Sequence, residues 1–244
     1  MAVNFLLWAR RAARDVKVLV VAMDEVSFDF LDALTPGSIA MYPQKSSERQ
    51  HAVKAGQWGD DIFKHEALVR PDILLSILRQ GYKLLWTDVD MVWLRNPLPL
   101  LPDTRANAIA AEVMVQQDGK AKNKCTCFMF LDCTPLAINL IDLWKREIVE
   151  TKVAQNQVAF SKPLVQMVDA GLRMEILPDE VMPPGSNIFD DGFMKANYDR
   201  YHNKLRVVHN NWIIGHDAKR DRFRQADLWR VDDWDLPTCE RRTS

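Results

Sequence analysis

A three-layer α/β fold with a mostly parallel sheet is predicted by three features of this sequence. Short runs of branched apolar residues alternate with stretches of helical periodicity along the whole chain. At 244 residues, the chain suits one large domain, residues 1–244, with length enough for a sizeable core. The most apolar strand, in LLWTDVDMVW (84–93), runs into two carboxylates, and α/β sheets gather their ligands at such carboxyl ends.

The elements follow in order. Residues 2–14 read as a helix with Phe5 and Leu6 inward, and residues 16–22 as a buried β-branched strand ending at Asp24. A brief helix over 26–34 closes at the Pro36-Gly37 turn, before a second strand at 38–42. The polar stretch 43–59 is a surface loop. Residues 60–80 carry helical spacing in two pieces, the second opening at Pro71 and stopping at Gly81. A strand at 82–87 delivers Asp88 and Asp90, and two more, 108–113 and 126–131, flank the polar loop QQDGKAKNK. Leu136, Leu140, Leu143, Trp144 and Ile148 stripe one face of a helix at 135–150. A further helix at 155–169 breaks at Pro163, strands at 174–177 and 205–208 flank a Pro/Gly/Asp-rich segment, and a basic helix follows.

Composition narrows the partners. With 32 basic and 33 acidic residues the net charge is −1, so no bulk electrostatic attraction for nucleic acid or an anionic membrane exists. No run approaches the roughly 18–20 apolar residues of a membrane helix. The start MAVNFLLWARRAARDV has too short an apolar part, and its arginines on the wrong side, for a secretory signal. No membrane contact is expected within this chain. Cys125 and Cys127 lack the CxxC spacing of zinc or redox sites and read as small buried hydrophobes. A Cys133–Cys239 disulfide stays open.

Asp88 and Asp90 are the candidate centre. On one strand, residues two apart point to the same side. Two unpaired carboxylates among Trp and Leu repel each other and are costly to bury. A hard divalent cation, Mn²⁺ or Mg²⁺, removes that cost.

Three blocks carry a family resemblance. YKLLWTDVDMVWLRNPLP resembles the DxD segment of the nucleotide-diphospho-sugar transferases of glycosyltransferase family 77. VVHNNWIIGHDAKRDRFRQADLW is similar to that family's HNNWI-x-GHDAK block, and CTCFMFLDCTP followed by NQVAF resembles its NTGFMF-like strand and DQ-x-AF helix start. The resemblance implies a GT-A-like, Rossmann-type fold. It also implies retaining transfer from a nucleotide sugar, usually a UDP-sugar, to a carbohydrate or glycoprotein acceptor, with Mn²⁺. It places Asp88, Asp90 and His209 on the metal, with His216 competing for the third position, and sets Arg70 against the donor. The charge of Lys219, ten residues after His209, or a helix N-terminus there, is expected to hold the diphosphate. Asp24 contacts nucleoside or sugar, or else caps the helix after it. Asn156-Gln157 stand where the motif has DQ, so an amide that cannot carry charge faces the sugar. Trp212 is a candidate to pack on a sugar face. The family's strand before the Trp8 helix is missing here, where only residues 1–5 remain. The resemblance points to the Golgi lumen if an anchor lies upstream, and otherwise the chain is cytoplasmic.

Two other readings fit parts of the pattern. DVDMV also matches the motif in which the first Asp, here Asp88, is the nucleophile of haloacid-dehalogenase-like phosphotransferases. Asn156 and the short N-terminus suit a non-catalytic sugar-nucleotide-binding protein.

Overall fold

The computed structural model describes residues 1–42, 61–102, 110–117, 124–151, 156–189 and 204–232. Its elements are α1 (Ala2–Ala12), β1 (Val20–Ala22), α2 (Glu25–Leu34), β2 (Ile39–Met41), α3 (Asp61–Leu78), β3 (Leu84–Thr87), β4 (Met91–Trp93), β5 (Val113–Gln117) and β6 (Lys124–Leu131). They continue with α4 (Pro135–Thr151), α5 (Asn156–Asp169), β7 (Met174–Leu177), α6 (Gly185–Phe189), β8 (Val207–His209) and α7 (His216–Gln225).

The central sheet has the order β3-β6-β5-β7, and β1–β2 and β4–β8 form two further ladders. The α/β class expected from the sequence holds. The sheet is partly rather than mostly parallel: β1–β2 and β5–β7 run parallel, while β3–β6, β5–β6 and β4–β8 run antiparallel. Connection length explains the central reversal. Only residues 118–123 separate β5 from β6, and a parallel crossover takes about a dozen residues or more.

Alternation along β5 and β6 divides the core into two layers. Val113, Val115, Met129 and Leu131 face Leu74 and Leu78 of α3, Leu140 and Trp144 of α4, and Phe160 of α5. Met114, Phe128 and Phe130 face the other way, onto Phe5, Leu6 and Ala9 of α1 and Met91 and Trp93 of β4. Helices therefore cover both faces, as three layers require. Trp144 is fully buried, packs edge-on against Phe160 with ring centres 5.0 Å apart, and donates from Nε1 to the Asn156 carbonyl at 3.1 Å. That bond ties the start of α5 to α4. Truncating such a ring to Ala costs about 3–5 kcal/mol.

Three local expectations are corrected. α3 and α5 run unbroken through Pro71 and Pro163, where breaks were expected. Both prolines are buried, so helix packing outweighs the lost N–H. The strand expected at 108–113 begins at Val113 and continues through Gln116 and Gln117, which read as loop because they are polar. The expected loop over 43–59 lies outside the described residues.

Candidate active site at the Asp88–Asp90 turn

Two ladders deliver the two carboxylates. In β3–β6, Thr87 stands opposite Phe128, and the Asp88 N–H extends the pairing by donating to the Cys127 carbonyl at 2.8 Å. In β4–β8, Met91 stands opposite His209, and the Asn210 N–H donates to the Asp90 carbonyl at 3.0 Å. Val89 and Asp90 form the turn between the two strands. The expected pair on one continuous strand is thereby corrected. Asp88 ends one ladder and Asp90 opens the next, because the chain changes partner from β6 to β8 between them.

Asp88 is held by a cation. Its Oδ1 accepts from Arg70 Nη2 at 2.9 Å and from Trp86 Nε1 at 3.0 Å. Arg70 Nη1 also donates to the Thr126 carbonyl and hydroxyl at 3.0 and 3.1 Å, and the guanidinium carbon lies 5.2 Å from the centre of the Trp86 ring. Burial works against the Arg70 charge, but Asp88, with Cys127 and Cys125, outweighs it and holds the guanidinium above its ordinary pKa. Asp88 Oδ2 has no hydrogen bond among the described residues.

Asp90 meets two cations. Its Oδ2 accepts from Lys219 Nζ at 2.6 Å, and its Oδ1 lies 3.6 Å from His209 Nε2. Oδ1 is buried with no hydrogen-bond partner among the described residues. Burial opposes the Asp90 charge, yet His209 and Lys219 outweigh it and keep the carboxyl below its usual range. The His209 imidazole is pushed up to about 9: burial opposes its charge, and Cys127 and Asp90 together overcome that burial. The Cys127 thiol is itself pushed well up, first by its hydrogen bond with Cys125 and then by burial. At neutral pH Asp90 is therefore the charge that faces the imidazolium.

A residue the sequence reading missed orients that imidazole. His209 Nδ1 lies 3.0 Å from Gln116 Oε1, while Gln116 Nε2 donates to the Met182 and Pro183 carbonyls at 3.2 and 3.4 Å. The two carbonyls fix the amide nitrogen on their side, so the amide oxygen faces the ring and Nδ1 carries the proton. In neutral His209, Nε2 then presents its lone pair towards Asp90. The β5–β6 register shifts between Val115 and Gln116, and such irregularities re-aim side chains near sites. Polar Gln116, buried at the end of the apolar run VMV, was the available signal.

The two cysteines are also corrected. Gln157 Nε2 donates to Cys125 Sγ at 3.4 Å and to Cys127 Sγ at 3.7 Å, and Cys125 Sγ lies 4.0 Å from His209 Nδ1. Their sulfurs line the polar cluster rather than only filling core. Cys133 is a free thiol, and Cys239 lies outside the described residues.

Of the predicted site residues, Arg70, Asp88, Asp90, Gln157, His209 and Lys219 come together. Asn156 begins α5 beside Gln157, and its Oδ1 is buried with no hydrogen-bond partner among the described residues. Lys219 sits in the first turn of α7, where its carbonyl accepts from Asn210 Nδ2 at 2.8 Å. Asp24 serves as the cap of α2: Oδ1 accepts from Ser27 N and Oδ2 from Ser27 Oγ, both at 2.7 Å. His216, the competitor of His209, is exposed at the first residue of α7. Trp212 is 57% exposed with φ +59, a left-handed conformation uncommon for a bulky residue. Its loop is pinned by Gly185 N donating to Asn211 Oδ1 at 2.6 Å and Arg222 Nη1 donating to the Asn211 carbonyl at 2.9 Å. Gly185 is required there, since a Cβ would lie 2.7 Å from the His209 and Asn211 carbonyls.

The chemistry of the cluster is that of two carboxylates each held by basic side chains, Asp88 by Arg70 and Asp90 by Lys219 and His209. The donor set suits a hard divalent ion: a buried carboxylate oxygen with no hydrogen-bond partner among the described residues faces an imidazole nitrogen.

Comparison with known proteins places the chain. The nucleotide-diphospho-sugar transferase family matches residues 14–223, and the chain belongs to it. It is 28% identical over 249 residues to the UDP-D-xylose:L-fucose alpha-1,3-D-xylosyltransferase 3 of Arabidopsis thaliana, covering 94% of this chain and 63% of that protein. It is 25% identical over 228 residues to the UDP-galactose:fucoside alpha-3-galactosyltransferase of Dictyostelium discoideum, covering 84% of this chain and 34% of that protein. The chain thus spans a third to just under two thirds of these relatives' lengths. Among solved structures, a glycosyltransferase involved in glycosylation of the PBCV-1 major capsid aligns at a TM-score of 0.48 and 8% identity, over 86% of this chain and 99% of that one.

Proposed function

We propose that this member of the nucleotide-diphospho-sugar transferase family is a single-domain, metal-dependent glycosyltransferase that moves a sugar from a UDP-sugar to a glycan acceptor with retention. One observation carries the reading: buried Asp90 Oδ1, without a hydrogen-bond partner among the described residues, faces His209 Nε2 at 3.6 Å while Lys219 holds Oδ2. The names of the Arabidopsis and Dictyostelium relatives, one using UDP-xylose and the other UDP-galactose, both specify an α-linkage to fucose or a fucoside. Those UDP-sugars are themselves α-linked, so α products support retention, and fucose becomes the first acceptor to test.

In this reading Asp90 Oδ1, His209 Nε2 and the open Oδ2 of Asp88 hold Mn²⁺ or Mg²⁺. The bound ion supplies a Lewis acid for charge on the departing diphosphate. Arg70 and Lys219 add fixed positive charge, and Lys219 Nζ keeps two of its three donors for phosphate oxygens while Asp90 uses the third. Asn156 and Gln157 hydrogen-bond sugar hydroxyls. An amide at 156 cannot serve as a charged nucleophile, so the reading keeps the reaction on one face. There the leaving phosphate oxygen takes the acceptor hydroxyl's proton as the new glycosidic bond forms. The phosphotransferase alternative loses ground, since Asp88 Oδ1 is engaged by Arg70 and Trp86 and the chain belongs to another family.

Hydrolysis of UDP-xylose and UDP-galactose in Mn²⁺ needs no acceptor and tests the proposal. Turnover that disappears in Asp90→Ala is the expected result. Turnover unchanged in that variant removes the metal assignment, and UDP binding without any hydrolysis favours a non-catalytic binding protein.

A further inference from the structure

We propose that Cys125, Cys127 and His209 form a second kind of metal site in the same cluster, one for a soft divalent cation such as Zn²⁺ or Cd²⁺. Both Sγ atoms and one ring nitrogen of His209 lie within 4.8 Å of one another. A tetrahedral ion bound at about 2.3 Å to sulfur and about 2.0 Å to nitrogen needs ligand separations of about 3.8 Å. Side-chain adjustments of about 1 Å therefore close the triangle without moving the backbone. The sulfur lone pairs already converge, because Gln157 Nε2 donates to Cys125 at 3.4 Å and to Cys127 at 3.7 Å.

The hydrogen bond with Cys125 and burial keep the free Cys127 thiol protonated, and a bound cation is what offsets the thiolate charge. Arg70, bonded to the carbonyl of Thr126 between the two cysteines, sets a guanidinium beside them, and one divalent ion on two thiolates adds no net charge. Binding is balanced as two thiols and the imidazolium losing three protons to solvent, the last from Nδ1, while two metal–sulfur bonds and one metal–nitrogen bond form. Thiolate and imidazole prefer soft or borderline ions, whereas the carboxylates prefer hard ones. His209 enters both donor sets, by Nδ1 towards the sulfurs and by Nε2 towards Asp90; a soft ion on Nδ1 leaves the proton on Nε2, which then cannot bind the hard ion. Resting on the function proposed above, this predicts that Cd²⁺ inhibits Mn²⁺-supported turnover by removing His209 from the hard-ion set.

The site itself is tested without turnover, so its failure is distinguishable from failure of the glycosyltransferase reading. The full chain, stripped of metal and kept reduced with a non-thiol reductant, is titrated with Cd²⁺ while the thiolate-to-cadmium charge-transfer absorbance is followed. One equivalent should give the band. Cys125→Ser and Cys127→Ser should each weaken binding by at least about tenfold, since even outer-shell losses reach that size, and Cys133→Ser should leave it unchanged. A band that persists in both serine variants, or no band, overturns the proposal. Should a serine variant fail to fold, X-ray absorption of the Zn²⁺-loaded native chain decides: two sulfur scatterers at about 2.3 Å support the site, and an oxygen/nitrogen shell alone refutes it.

Discussion

Asp90→Asn preserves the side-chain volume and removes the charge, which makes it the sharpest probe of the cluster. His209 is 1% exposed, and its pKa stands at about 9 against an ordinary 6.5. Burial opposes its charge; Cys127 and Asp90 raise it, and Cys127 carries no charge at neutral pH because its own thiol pKa is pushed well up. Without Asp90 the imidazole loses one of the groups that raise it, beside Cys127 and Asp88, and should titrate below about 9. At about 1.4 kcal/mol per pKa unit, a drop from about 9 caps the lost stabilisation at pH 7 near 3 kcal/mol, the limit in which His209 is discharged. This is the low end of the roughly 3–5 kcal/mol seen when one partner of a buried ion pair is deleted. Proton NMR titration of the His209 ring in metal-free protein reads the pKa, and urea unfolding reads the stability. A His209 pKa that stays near 9 in Asp90→Asn would refute the pairing.

Other outcomes follow from the same contacts. His209's folded pKa lies above its unfolded value, so its stabilisation is complete below pH 6.5 and is lost as pH rises through about 9. Asp90's folded pKa is depressed, so its contribution fails only on acidification. Melting temperatures in EDTA should thus fall between pH 6.5 and about 9 in the native chain and stay flatter in Asp90→Asn. Gln116→Leu removes the acceptor that fixes the His209 tautomer and should weaken Mn²⁺ binding about 10- to 100-fold, read by electron paramagnetic resonance; unchanged affinity would assign Gln116 a packing role only. Trp144→Phe keeps an aromatic ring in the core but loses the bond to Asn156, costing about 1 kcal/mol in denaturant unfolding.

Periodicity made most elements readable because burial imposes it. The α4 stripe through Leu140, Trp144 and Ile148 is the buried face observed, and 174–177 is the strand Met174–Leu177. Strand direction was less legible, since alternation of strands and helices suggests parallel crossovers and hides the short β5–β6 connection. Asp88 and Asp90 stood out as charge within apolar sequence, but their division between two ladders depends on partners some forty and a hundred and twenty residues away. Arg70 reached the expected site through family resemblance and Lys219 through its charge at an expected helix start after His209, while nothing local in either helix announces a carboxylate partner. Gln116 was hidden by its polarity: a glutamine at a strand end reads as loop until a tertiary partner is known.

The central claim is that Asp90 and His209 share one hard cation at the turn between the sheets. Anomalous scattering from crystals of the native chain grown with Mn²⁺ and UDP tests it most directly. The account predicts a manganese peak within bonding distance of Asp90 Oδ1 and His209 Nε2, with the diphosphate alongside. A peak elsewhere, with Asp90 still gripped only by Lys219, would contradict it.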